Sequence, residues 1–184
     1  MSVDAALNRF GKVVVKEAKT ALTKQDRNVS KELYNSIRFD SKVSKNSFEL
    51  SIYMADHGKF LDQGVKGKSS SLKAPNSPFQ FGSGTGKKGG LTQGIDKWVR
   101  ARRIQFRIRE YKNKEGKLIK NKRKGQFMSY EQTARLIAGS VYQKGTKETK
   151  FITKPFNAAY KNLPEEVVKA YGLQVEQLLK NVII

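Results

Sequence analysis

A concentration of positive charge in the middle of the chain limits how this sequence can fold, because so many lysines and arginines have to stay at the surface. Residues 97–124 contain thirteen lysines and arginines but only two acidic residues, Glu110 and Glu115. The segment supplies about half of the formal charge of +21 on the 184-residue chain. Charge that is localised in this way indicates a surface rather than general solubility, and it makes a polyanion the first partner to consider.

Two features of the composition restrict the possible chemistry. The chain has no cysteine, which excludes disulfides, thiolate nucleophiles and zinc ribbons, and a single histidine, which leaves little for a histidine-built metal site. No apolar run reaches the ~20 residues of a membrane helix, and the N-terminus has no signal-peptide pattern. We therefore expect one domain over residues 1–184 that is made in a cytoplasm, has no cofactor or metal and does not bind a membrane.

Two helices are predicted at the start of the chain. Apolar residues recur at steps of three and four over residues 3–23, which predicts an amphipathic helix. The polar face of this helix holds Lys12, Lys16 and Lys19. A second short helix is predicted over 30–37, where Ser30 stands at the capping position.

A hairpin and a long loop are predicted next. Apolar residues alternate over 37–43 and again over 48–54, on either side of a Ser-Lys-Asn-Ser turn, which predicts a β-hairpin whose apolar face packs on the first helix. Residues 66–90 are dominated by Gly, Ser, Lys and Pro and cannot bury enough apolar area to form regular structure. We expect a long loop there that Phe79 and Phe81 tether.

The central basic segment predicts a helix followed by an arm. Helical spacing returns over 91–104, with Trp98 expected in the core. Apolar and basic residues then alternate on both sides of an Asn-Lys-Glu-Gly turn. This pattern predicts a basic β-hairpin arm over 105–125, inserted in the domain.

The last third of the chain returns to helical patterns. Ser129 and Gln132 form a capping box that opens a helix, and Gly145 is placed to end it. A short strand at 151–153 and a helical turn over 155–162 are expected next, and the last proline opens a terminal helix. The elements together predict an α+β fold with a small mixed or antiparallel sheet flanked by helices.

The segment around His57 is the first candidate for an active site. His57 could act as a general base oriented by Asp56 or Asp62. A continued strand would alternate these positions between faces, and the remaining parts of a catalytic or metal site are missing. We therefore favour a strand end and turn, with the bend permitted by Gly58 and Gly64, and predict that the protein is not an enzyme.

A glycine-rich stretch, GSGTGKKGG at 82–90, superficially resembles a phosphate-binding loop. It lacks the Gly-x4-Gly-Lys-Ser/Thr spacing, since Lys88 is followed by glycine, and no apolar strand immediately precedes it. A surface loop is the favoured interpretation.

The basic arm is the second candidate site. Its aromatic residues Phe106, Tyr111 and Phe127 either stack on nucleic-acid bases or lie on the inner face of the hairpin. The sequence does not distinguish DNA from an acidic protein as the partner. The residues predicted to dock a polyanion or partner are Arg100, Arg102, Arg103, Arg107, Arg109, Lys112, Lys114, Lys117, Lys120, Lys122, Arg123 and Lys124.

Several segments outside the arm resemble one family of proteins. The stretches LYNSI, KFLDQGV and ARLIAGSVYQKGTKETKFITKPFNAAY are similar to the tail-completion and head-tail joining proteins of tailed bacteriophages. The positions that correspond to the pattern of that family are Tyr53, Phe60, Asp62, Gly64, Pro155, Phe156, Ala158 and Ala159. Val65 departs from the pattern, since threonine is usual there.

The resemblance implies a structural, non-enzymatic virion protein that forms a ring in the neck and joins the portal or connector to the tail. The partners it implies are further copies of the chain, the portal or connector, the tail proteins and, as a further candidate, genomic DNA in the channel. Contacts between subunits are expected at Phe60, Asp62, Phe79 and Phe81, because rings close through head-to-tail contacts. The alternative is a sequence-nonspecific nucleic-acid-binding protein that uses residues 100–124.

Overall fold

The computed structural model describes residues 2–27, 31–44, 47–83 and 89–182. The fold is α+β, as predicted, with short antiparallel strand pairs among helices. The elements in chain order are α1 (Val3–Lys24), α2 (Glu32–Ser36), β1 (Arg38–Val43), β2 (Phe48–Tyr53), α3 (His57–Gln63), α4 (Gly90–Ala101), β3 (Tyr111–Lys112), β4 (Leu118–Ile119), α5 (Tyr130–Lys144), α6 (Thr153–Tyr160) and α7 (Leu163–Val182).

Helix α1 confirms the prediction over residues 3–23. Ser2 caps its N-terminus, because the Ser2 hydroxyl accepts a hydrogen bond from the N–H of Ala5 at 3.2 Å. One face of the helix is buried along its whole length, through Val3, Ala6, Leu7, Phe10, Gly11, Val14, Ala18 and Leu22. The periodic apolar stripe therefore forms the packing surface that the sequence indicates.

The predicted hairpin pairs β1 with β2 in antiparallel register. Phe39 lies opposite Ile52, and the hairpin packs on α1 as expected. A Cβ atom on Gly11 would overlap the ring of Phe39, so the absence of a side chain on Gly11 lets the strand approach α1. Ser30, the predicted cap of the second helix, lies outside the described residues.

The prediction of a turn around His57 is wrong, because residues 57–63 form helix α3. Gly58 is buried in this helix, and a Cβ atom there would lie 2.7 Å from the sulfur of Met54 and 2.8 Å from a methyl carbon of Leu33. Close packing, rather than a bend, is what Gly58 provides. Gly64 ends the helix with a φ of 72°.

The predicted strand at 151–153 is also wrong, and the reason lies in the side chain of Asp62. The N–H groups of Ile152 and Thr153 donate to Oδ1 of Asp62 at 2.9 and 3.2 Å. The hydroxyl of Thr153 donates to Oδ2. Because a carboxylate satisfies these backbone donors, α6 can begin at Thr153, two residues before Pro155.

The chain divides into two compact units. Unit 1 comprises residues 1–64 and 148–184, and unit 2 comprises residues 65–147. The expectation of a single domain over 1–184 stays a prediction. The apolar core of unit 1 contains one cluster of Ala18, Leu22, Leu33, Ile37 and Phe151 and another of Val3, Leu7 and Ala170.

In unit 2, helix α4 packs against α5. Val99 is fully buried at this contact region, together with Ala134 and Ala138 of α5. Trp98 was expected in the core but is 39% exposed, because the neighbouring position Val99 takes the buried face.

Both predicted ends of α5 are confirmed. Ser129 and Gln132 form the reciprocal bonds of a capping box at its start. Gly145 ends the helix with a φ of 76°, and its N–H donates to the carbonyl of Val141 at 2.8 Å. A Cβ atom on Gly145 would overlap the carbonyl oxygen of Val65, so two stretches of backbone meet there.

The loop at 66–90 is tethered at the predicted place. Lys66 donates its N–H to the carbonyl of Phe79 at 2.8 Å and accepts from the N–H of Phe81 at 2.9 Å. The ring of Phe81 lies 6.0 Å from that of Tyr142 on α5. Residues 84–88 of this loop lie outside the described residues.

None of the helices in the described ranges is both long enough and apolar enough to cross a lipid bilayer.

Candidate polyanion-binding surface

The predicted basic arm is present as a hairpin. Tyr111 lies opposite Ile119, and the short strands β3 and β4 pair in antiparallel register. The turn between them is fixed by Asn113, whose side-chain oxygen accepts from the N–H of Lys117 at 2.8 Å. The N–H of Gly116 donates to the carbonyl of Asn113 at 3.0 Å. The Asn-Lys-Glu-Gly sequence therefore forms the predicted turn of the hairpin.

The base of the arm is fixed to helix α5. The N–H of Phe106 donates to the hydroxyl of Thr133, a fully buried residue of α5, at 3.3 Å. The carbonyl of Phe106 accepts from the N–H of Met128 at 2.7 Å, and the side chain of Gln105 donates to the carbonyl of Met128 at 2.9 Å. The arm thus has a defined root, whereas β3 and β4 pack chiefly against each other.

The basic residues predicted to dock a partner lie at the surface of unit 2. Eleven of the twelve are exposed, and the side chain of Lys112 lies outside the description. The side chains that are exposed and form no ion pair with described residues are those of Arg103, Arg109, Lys114, Lys117, Lys120, Lys122 and Arg123.

Two members of the basic set are paired with acidic side chains. Arg100 donates to Asp96 at 2.8 Å, and Lys124 lies 2.9 Å from a carboxylate oxygen of Glu110. The hydrogen bond from Arg100 to Asp96, followed by the charge of that carboxylate, raises the pKa of Arg100 above its ordinary value. Exposed ion pairs of this kind contribute little to the free energy of unfolding.

Arg107 has a different environment. Its guanidinium donates to the carbonyl of Gly125 at 2.8 Å and lies 4.2 Å from the centre of the Phe127 ring. This cation–π contact covers one face of Phe127 with a positive charge. Phe127 and Arg107 also form an isolated antiparallel bridge that closes the base of the arm.

The aromatic residues of the arm are exposed rather than packed on an inner face. Tyr111 is 61% exposed, and Phe106 and Phe127 are also exposed. Such side chains beside lysines and arginines are what a single-stranded nucleic acid would need for stacking and backbone contacts. The arm therefore combines exposed positive charge with exposed aromatic rings, the two kinds of group that contact phosphates and stack on bases in nucleic-acid complexes.

The four residues predicted to contact neighbouring subunits lie in different environments. Phe60 is 40% exposed, and Phe79 and Phe81 are half-buried. Asp62 is only 3% exposed, and its carboxylate is engaged by the start of α6. The expectation that Asp62 contacts another subunit is therefore corrected, since its side chain is used within unit 1.

The alternative site around His57 gains no support from the geometry. His57 and Asp56 are exposed, whereas Asp62 is buried in hydrogen bonds to backbone. Within the ranges that the structure describes, no three histidine or acidic side chains are grouped so that they could hold a metal ion.

Two features of unit 1 were not predicted from the sequence. One is the bond between Asp62 and Thr153, for which a spacing of 91 residues leaves no local signal. The other is a groove beside α1. The sequence shows the lysines along this groove but not the groove itself.

Comparisons with protein-family models, with curated proteins and with solved structures found no match.

Proposed function

We propose that this chain is a structural subunit of a tailed-bacteriophage virion, in which copies form a ring in the neck that joins the portal or connector to the tail. The observation that carries the proposal is the arm of unit 2. It is anchored at its root, pairs chiefly with itself and exposes both charge and aromatic rings. In a ring, an arm of this kind would present these groups to a neighbouring subunit or to another component of the neck.

The resemblance of the segments outside the arm to head-tail joining proteins supports the same proposal. The α1 helix, the hairpin and the Pro-Phe helix α6 stand in the chain order that this resemblance implies. Exposed Phe60 offers an apolar contact on unit 1.

Quantitative mass spectrometry of purified particles tests this proposal. We expect the chain in a small, fixed number of copies relative to the portal protein, because a ring has a defined stoichiometry. Absence of the chain from purified particles would overturn the proposal.

Sequence-nonspecific binding of nucleic acid is the second candidate function. It is favoured by the exposed rings of Phe106 and Tyr111 among basic residues. This function predicts that affinity for a single-stranded oligonucleotide falls steeply with salt, because each neutralised phosphate releases a counterion.

An arm variant with Arg109→Gln, Lys120→Gln and Lys122→Gln tests this second function. The slope of log affinity against log salt should fall by about 2, since each lost contact to a single strand contributes about 0.7. A matched variant, Lys154→Gln with Lys161→Gln and Lys169→Gln, removes the same charge from exposed positions of unit 1 and should leave the slope nearly unchanged. Equal slopes for the two variants would exclude the arm as the binding surface.

A further inference from the structure

A shallow groove of about 490 Å³ runs beside helix α1 in unit 1, away from the arm in sequence. Its wall is the polar face of the C-terminal half of α1, and the ring of Tyr34 from α2 lies on its other side. None of the described residues that line it is acidic. The lysines that line it are Lys12, Lys16, Lys19 and Lys24.

The lysines of this groove form a row rather than a point. Lys12, Lys16 and Lys19 follow one another at four and three residues, so they lie on one face of α1. With a rise of 1.5 Å per residue, Lys12 to Lys19 span about 10 Å, and Lys24 lines the groove at its far end, to one side of that face, so the lysines together span about 18 Å along the helix axis. An elongated ligand with repeated negative charges matches this row better than a single small anion does.

The charges of the row are not neutralised within unit 1. Lys12, Lys16 and Lys24 form no ion pair with described residues, and the ammonium of Lys19 lies 5.1 Å from the centre of the Tyr34 ring. Like charges one turn apart on a helix repel each other. The opposite face of α1 is buried, so the lysines are held at the surface side by side despite this repulsion.

The floor of the groove offers few donors other than lysine. The hydroxyl of Thr20 donates to the carbonyl of Lys16 at 2.9 Å, and that of Thr23 donates to the carbonyl of Lys19 at 3.0 Å. Because these two hydroxyl protons are already used, the side-chain donors left to a ligand in the groove are the lysine ammonium groups and the hydroxyl of Tyr34. Lysine is a flexible point charge that suits phosphate and does not fix the orientation of a carboxylate as arginine does.

We propose that the α1 groove binds the phosphate backbone of a nucleic acid, as a second contact that does not depend on the arm. A strand of a duplex advances 3.4 Å per nucleotide along the axis, so a row of about 18 Å matches about five nucleotides. Lysine ammonium groups supply most of the donors in the lining, and none of the described lining residues is acidic, so a contact with phosphates there would be independent of sequence.

The test uses the full chain with the arm variant as background, so that arm contacts do not mask the groove. Into this background Lys12→Gln, Lys16→Gln and Lys24→Gln are introduced together. Glutamine keeps a high helix propensity, and Lys19 with its Tyr34 contact is retained. The matched control again carries Lys154→Gln, Lys161→Gln and Lys169→Gln, which are exposed positions of the same unit.

Affinity for a duplex oligonucleotide is measured across a salt series, with far-UV circular dichroism to establish that each variant is folded. The groove variant should lose about 2.7 from the salt slope, at about 0.9 for each phosphate contact, and the control should change little. Equal changes in the two variants, or no change in either, would overturn the proposal.

Lysine acetylation of the chain without substitutions, read by mass spectrometry, gives a second measurement that needs no variant. Duplex DNA should protect Lys12, Lys16 and Lys24 but not Lys154 and Lys161. Protection by poly-glutamate and not by DNA would assign the groove to an acidic protein and overturn the proposal. If DNA does not protect these lysines from acetylation, the proposal is likewise overturned.

Discussion

Among the described residues, the buried apolar side chains of unit 1 include several large ones, whereas those of unit 2 are two valines and three alanines. The buried set of unit 1 includes Leu7, Phe10, Leu22, Ile37 and Phe151. In unit 2 the buried apolar residues are Val65, Ala74, Val99, Ala134 and Ala138. Unit 1 is therefore held mainly by the hydrophobic effect, and unit 2 depends more on backbone hydrogen bonds among its loops.

The two units also differ in net charge. Unit 2 contains 21 basic and 4 acidic residues, and unit 1 contains 16 basic and 12 acidic residues. Self-repulsion on this scale opposes compaction of unit 2. The chain thus places its large buried side chains in a unit of nearly balanced charge and most of its excess positive charge in the other unit.

The largest expected difference between the units is in the free energy of unfolding that is lost when a buried side chain of each is truncated. Phe151→Ala should lower the free energy of unfolding by about 4 kcal/mol and Val99→Ala by about 2 kcal/mol, because the larger buried side chain leaves the larger cavity. Urea unfolding followed by far-UV circular dichroism checks both values. Fluorescence of Trp98, the single tryptophan of the chain, reports unit 2 separately.

The same experiment tests whether the two units unfold as one domain. If they do, the Trp98 signal and the circular dichroism signal of Phe151→Ala shift together. A Trp98 transition that stays in place while the other moves would show that unit 2 unfolds independently.

The next largest effect is expected from the buried carboxylate of unit 1. Asp62→Ala removes the acceptor of two N–H groups and one hydroxyl, and should cost about 3 kcal/mol because buried donors are left unsatisfied. Asp56→Ala, at an exposed position six residues earlier, should stay within about 0.5 kcal/mol. Thermal unfolding of both variants checks the difference, and similar melting temperatures would contradict the proposed role of Asp62.

The smallest effect concerns two glycines of unit 2. Gly145→Ala should destabilise by about 2 kcal/mol, because its φ is positive and its Cβ would overlap the backbone at Val65. Gly139→Ala lies inside α5 with open space around it, and should stabilise by about 0.5 kcal/mol or more. Opposite shifts in the urea midpoint are expected, and shifts of the same sign would show that backbone contacts at Gly145 matter less than the structure indicates.

Local patterns predicted most of the regular structure correctly. The apolar period of α1, the alternation of β1 and β2 and the capping box of Ser129 and Gln132 each lie within a few residues of sequence. The error at 151–153 has a non-local cause, because this segment bonds to Asp62, 90 residues before Ile152, and a local pattern contains no information about that contact. The error at 57–63 arose because the alternation of the preceding strand does not show that Gly58 lies in a helix packed near Met54 and Leu33.

The two candidate sites also differ in whether local sequence patterns reveal them. The arm could be predicted because its charge, alternation and turn are contiguous in the sequence. The α1 groove could not, because its volume depends on where α2 places the ring of Tyr34. The exposure of Trp98 was missed because helical spacing alone does not tell which of two adjacent apolar positions, 98 or 99, faces the neighbouring helix.

The chain enters and leaves unit 2 at one point. Val65 and Thr146 exchange backbone hydrogen bonds of 3.2 and 2.8 Å, so the first and nearly the last residue of the unit are neighbours. On the unit 1 side, the carbonyl of Asp62 accepts from the N–H of Lys150 at 2.9 Å. Unit 2 therefore has the topology of an insertion whose two ends lie side by side. Insertions, deletions or charge changes in its loop and arm are expected to leave the path of the chain through unit 1 unaltered.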